Sequence, residues 1–95
     1  SSPAYVYLFI EALADGAVAL GMARKQAYTF AAQAVAGSAE MVLQTEIHPG
    51  ELKDRVCSPG GATIEAVETL EQNGFRSAVM TAVKAAAEKS AQMTK

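Results

Sequence analysis

From Tyr5 to Leu20 the apolar residues Tyr5, Val6, Leu8, Phe9, Ile10, Leu13, Val18 and Leu20 fall on every side of a 3.6-residue repeat. Such a pattern predicts a helix surrounded by protein, opened by Pro3 and closed by Gly21. Glu11 and Asp15, one turn apart, are either its wet strip or a site for a basic partner. The next segment, Arg24 to Thr45, places Gln26, Thr29, Gln33, Gly37, Glu40 and Gln44 at steps of three, four, four, three and four. That spacing draws one narrow polar stripe on a helix. Tyr28, Phe30, Val35, Met41, Val42 and Leu43 face away from it, so this helix too calls for cover.

The periodicity then breaks at His-Pro-Gly and again at Ser-Pro-Gly-Gly. A short helix fits between the breaks, Pro49 to Val56, with Pro49 tolerated in the first turn. After the second break, Ala62 to Gln72 carries Ile64, Val67 and Leu70 on one face and Glu65, Glu68 and Glu71 on the other. Asn73-Gly74 ends it, and Phe75 to Met93 forms the last helix with Phe75, Val79, Ala82, Val83 and Ala86 inward. No strand-type alternation occurs anywhere. The predicted class is all-α, a five-helix bundle in one domain covering residues 1–95.

Composition changes this picture in one respect. The 95 residues are 51% hydrophobic and 19% charged. A domain of this size has limited capacity to bury its own apolar surface. Two long, nearly all-apolar helices require more cover than the rest of the chain supplies, and a second copy is the simplest source. The net charge of −2 carries no basic stripe for a nucleic acid. Glu11 and Asp15 interrupt the first helix as a membrane span. The lone Cys57 makes no intrachain disulfide and has no metal-ligand spacing around it, so no metal is expected and a reducing, cytoplasmic setting suits the chain.

The chemistry concentrates in Ser58-Pro59-Gly60-Gly61-Ala62-Thr63, which runs into a helix start. The first amides of a helix lack intrahelical acceptors and carry partial positive charge. Glycines admit an anion close to the backbone, and the Ser58 and Thr63 hydroxyls add donors. A carboxylate or phosphate would fit. The same residues also make an ordinary tight connection in which Ser58 or Thr63 merely caps. The lysine of a nucleotide-binding P-loop is missing. His48 suits either proton transfer or helix capping, while Lys53, Asp54 and Arg55 either draw an anion in or form a solvated face. Cys57 has no neighbouring base to activate it. Thr29, Ser38 and Thr45 compose no triad.

The stretch HPGELKDRVCSPGGATIEAVETLEQNGFR resembles the signature region of pyrroline-5-carboxylate reductases. The family pattern is met by His48, Pro49, Leu52, Val56, Ser58, Pro59, Gly60, Gly61, Ala62, Thr63 and Ile64, and again by Gly74-Phe75-Arg76. PAYVYLFIEALADGAVALGMARKQA resembles the same family's preceding segment. Where the family commonly has glycine before Pro-Ala-Tyr, this chain has Ser2.

The resemblance implies a two-domain enzyme that reduces a cyclic imine acid to proline with NADPH or NADH. This chain would be its helical second domain, interlocked with a twin as a homodimer or an oligomer of dimers. The α/β Rossmann domain would precede Ser1, so the chain alone would bind no cofactor and be inactive. By the same resemblance the substrate carboxylate is assigned to Ser58, Gly60, Gly61, Ala62 and Thr63. Thr63 is the candidate catalytic contact to the ring nitrogen, and Glu46 a second substrate contact. Two other readings stand beside it: a purely structural dimerisation module, and the helical domain of a different NADP-dependent dehydrogenase.

Overall fold

The computed structural model describes residues 1–94. They form α1 (Ser2–Ala19), α2 (Arg24–Thr45), α3 (Pro49–Arg55), α4 (Ala62–Gln72) and α5 (Phe75–Met93), with no strand among the described residues. The all-α expectation holds, and α2, α4 and α5 have the predicted bounds. Helix α1 begins three residues before Tyr5, because Pro3 sits inside its first turn rather than ahead of it. A proline is acceptable there, since the N–H it lacks would have no helical acceptor.

Two compact units emerge, Ser1–Pro49 and Gly50–Lys95. In the first, α1 packs against α2 through a seam of small residues: Ala14 is 0% exposed, Ala27 1% and Ala31 7%. Ile10, Ala17, Val18 and Met22 close over the seam. The chain reverses at Gly21, whose N–H donates to the Val18 carbonyl at 2.9 Å while Met22 N–H donates to the Ala17 carbonyl at 3.0 Å. That pair of bonds is a Schellman stop, and it carries the Met22 side chain back onto the seam. Asp15 of α1 accepts a hydrogen bond from Arg24, the first residue of α2. Of the two roles open to Asp15, the basic partner is the one observed. This bond holds the Arg24 guanidinium above its ordinary pKa, and the same group lies 5.8 Å from the Tyr28 ring centre.

In the second unit, α4 and α5 pack across the turn at Asn73-Gly74. Asn73 Nδ2 donates to the Thr69 carbonyl at 2.8 Å, closing α4. Arg76 Nε donates to both carboxylate oxygens of Glu71, at 3.1 and 2.9 Å, and so ties the start of α5 to the end of α4. The predicted inner face is only half realised within the chain. Ile64, Val67, Ala82 and Ala86 are half-buried, whereas Phe75, Val79 and Val83 are exposed. No residue of α3, α4 or α5 is fully buried.

Small residues inside and large ones outside invert the usual order. Tyr7 is 68% exposed and Leu43 72%, and Leu8, Phe30, Met41 and Met80 are exposed as well. The chain's accessible surface is 7470 Å². No helix among the described residues is long and apolar enough to cross a membrane.

Candidate functional site

Helix α3 ends with Val56 N–H on the Lys53 carbonyl at 3.1 Å and Cys57 N–H on the Asp54 carbonyl at 3.2 Å. The chain then turns within four residues. Gly61 N–H donates to the Ser58 carbonyl at 3.0 Å, with Pro59 at the second position and Gly60 at the third with φ of +69°. Proline pre-sets the second position of such a turn, and the third requires a left-handed residue, so Pro59-Gly60 is the sequence of a type II turn. Gly61 follows in extended conformation as the N-cap of α4. A Cβ there would collide with Ser58 Oγ and stand 3.3 Å from the Ser58 carbonyl oxygen. Gly60 is thus favoured by the turn's backbone, and Gly61 by the room Ser58 occupies.

The consequence lies at the start of α4. The first helical bond is Glu65 N–H to the Gly61 carbonyl, at 3.3 Å, and no side chain caps the helix. The amides of Ala62, Thr63 and Ile64 are therefore donors with no helical acceptor, and Ala62 and Thr63 are exposed. Neither Ser58 nor Thr63 serves as an N-cap. Of the predicted carboxylate contacts, Gly61 spends its N–H inside the turn. Its share in any anion site is close approach rather than donation.

The flanking charges do not extend the site. Lys53 Nζ lies 2.9 Å from Asp54 Oδ1, which holds its pKa above the ordinary lysine value, and Arg55 pairs with Glu51 at 3.3 Å. Cations so paired contribute little net field, and the solvated-face reading of this run stands. The Cys57 thiol is free and half-buried. His48 is exposed, directly ahead of α3. Among the described residues no group of three or more His, Cys, Asp and Glu could hold a metal ion.

Glu46 belongs to the other unit and has an unexpected conformation. It closes α2 with φ 56° and ψ 19°, the one non-glycine residue at positive φ among those described. A side chain in the left-handed region costs about 1–2 kcal/mol. Sequence reasoning missed what holds it there. Thr45 Oγ1 donates to the Met41 carbonyl at 2.6 Å and accepts from Ile47 N–H at 3.2 Å. The available signal was a threonine in the last helical position before a Glu-Ile-His-Pro exit.

Comparisons with known proteins place the whole chain in a family. The family model described as pyrroline-5-carboxylate reductase dimerisation matches residues 1–93. The pyrroline-5-carboxylate reductase of Escherichia coli K12 is 65% identical over 95 residues, which is all of this chain and 35% of the relative. A solved pyrroline-5-carboxylate reductase from Coxiella burnetii superposes with a TM-score of 0.93 at 36% identity, covering 98% of this chain and 34% of that one. The Plasmodium falciparum pyrroline carboxylate reductase, solved with NADP bound, gives 0.90 at 46% identity over 94% of this chain and 34% of that one. The chain therefore spans about a third of the length of the relatives it matches. On the strength of a match running from Ser1 into the last turn of α5, it belongs to the pyrroline-5-carboxylate reductase dimerisation family.

Proposed function

We propose that this domain pairs with a second copy of itself and, within a full-length cytoplasmic reductase, holds the substrate carboxylate while 1-pyrroline-5-carboxylate is reduced to L-proline. The observation that carries the reading is the set of uncapped amides at Ala62, Thr63 and Ile64, presented behind the Pro59-Gly60 turn. Those amides and the helix dipole favour a negative charge, by about 0.3–1 kcal/mol per interaction when exposed and up to ~2 when partly buried. Gly60 and Gly61 keep side chains out of the anion's approach. A carboxylate fixed at this point fixes the ring that bears it. The entropy of orienting the reacting carbon is then met in binding rather than at the barrier.

The described residues form five helices with no strand followed by a glycine turn among them. NADPH or NADH, held in another domain of the whole enzyme, supplies the hydride to the C=N carbon. As that carbon is reduced, the nitrogen takes up a proton or a hydrogen bond. The Thr63 hydroxyl is the donor we assign to it.

Thr63→Ala in the full-length enzyme should lower kcat by about tenfold or more, with the protein still dimeric. Crystals soaked with proline should place its carboxylate on the amides of Ala62 to Ile64. An unchanged kcat would remove Thr63 from its role. Turn amides left bare at saturating proline would leave a purely structural dimerisation module.

A further inference from the structure

Asn73 is the only asparagine in the chain, and a glycine follows it. The pair ends α4, but it also has a covalent chemistry of its own. The backbone nitrogen of the following residue can attack an asparagine's Cγ, and glycine leaves that approach open because it has no Cβ. Gly74 N would give its proton to water and bond to Cγ of Asn73. The Cγ–Nδ2 bond breaks and the nitrogen leaves as ammonia. Water then opens the imide ring to an aspartate or, with one more carbon in the main chain, an iso-aspartate. No oxidant, reductant or cofactor enters.

Both residues are exposed, so water reaches them. The native turn nevertheless has the wrong shape for ring closure. Asn73 has φ −95° and ψ 11°. A ψ near zero eclipses Gly74 N with the backbone nitrogen of Asn73, whereas closure needs it eclipsed with Cβ. Those are different corners of one tetrahedral carbon, so ψ must turn by a full tetrahedral step. The reacting groups are engaged as well: Gly74 N–H donates to the Glu71 carbonyl at 3.1 Å and Asn73 Nδ2 to the Thr69 carbonyl at 2.8 Å. On an exposed turn those bonds alone are a weak guard, and the rotation is the stronger one. It would swing Gly74, left-handed at φ 73°, and the start of α5 out of their places against α4. The tie from Arg76 to Glu71 would part with them.

We propose that Asn73 is a site of spontaneous deamidation that the native α4–α5 turn holds shut, so that the modification marks chains in which this turn has opened. Either product disfavours the turn's return. The new carboxylate stands at the C-terminal end of α4, near Glu71 and where the peptide dipoles already place negative charge. An iso-aspartate also lengthens the link between the two helices.

The test is peptide-mapping mass spectrometry of the full-length dimeric reductase held at mildly alkaline pH. Beside it stand the same protein unfolded in guanidinium and the free peptide ETLEQNGFRS, residues 68–77. The peptide and the unfolded protein should convert at similar rates, and the native protein at least about tenfold more slowly. Native protein converting at Asn73 as fast as the peptide would show that the turn exerts no control and overturn the proposal. No conversion in the peptide or the unfolded chain would remove the site altogether.

Discussion

The two units of this chain solve opposite problems. Ser1–Pro49 contains six charged residues and Gly50–Lys95 twelve. In the first, helix meets helix through alanines with Ile10, Val18 and Met22 closing over them, while Tyr7, Leu8, Phe30 and Leu43 are exposed. In the second, α4 separates an apolar face from a glutamate face, and ion pairs staple α3 internally and α4 to α5. The contrast teaches where each unit's work lies. In the first unit, an alanine seam lets two helices approach closely while leaving bulky residues such as Tyr7 and Leu43 exposed. The second spends its local chemistry on shaping one turn and the helix start behind it.

The largest expected effect attacks the assembly side. Leu43, so exposed in the single chain, would tolerate Leu43→Asp within about 0.5 kcal/mol if it remained in water. Buried in a dimer, an unpaired carboxylate there should weaken association by on the order of 3 kcal/mol or more, read by sedimentation equilibrium. Wild-type association in this variant would break the comparison. On the other side, Gly61→Ala forces its new methyl into Ser58 Oγ. It should cost about 1–3 kcal/mol in thermal or denaturant unfolding and distort the turn without dissociating the dimer. A smaller effect, of opposite sign, belongs to Glu46→Gly: release of the left-handed strain should raise stability by up to about 1 kcal/mol, read by denaturant unfolding. Smallest of all is Asp15→Asn, which removes an exposed pair with Arg24 and should leave the unfolding midpoint almost unmoved.

The helices themselves were legible because their signals are local. Gly21, Asn73-Gly74 and the paired Pro-Gly breaks punctuate the chain, and the step-three, step-four stripe on α2 fixes its face. The inverted burial of α1 was legible only in part. An apolar surface on all sides announces the need for cover, but periodicity cannot tell which residues meet the neighbouring helix, and here the smallest ones do. The same limit explains why Phe75, Val79 and Val83 of α5 were placed inward yet stand exposed within the chain. At the turn, Pro59 and Gly60 declare the backbone geometry directly. The spent N–H of Gly61 and the clash awaiting a Cβ there depend on where the Ser58 carbonyl and hydroxyl come to rest, which spacing does not encode. Thr45 was invisible for a related reason: a helical threonine commonly bonds back one turn, and only three-dimensional placement reveals its second bond to Ile47.

The account depends most on the apolar exterior being covered by a copy of the same chain. The direct test is the mass of the isolated 95-residue domain in solution, by sedimentation equilibrium at low micromolar concentration. Twice 9.9 kDa, persisting on dilution, is the predicted result. A well-folded, soluble species of 9.9 kDa with the same helix content would contradict it.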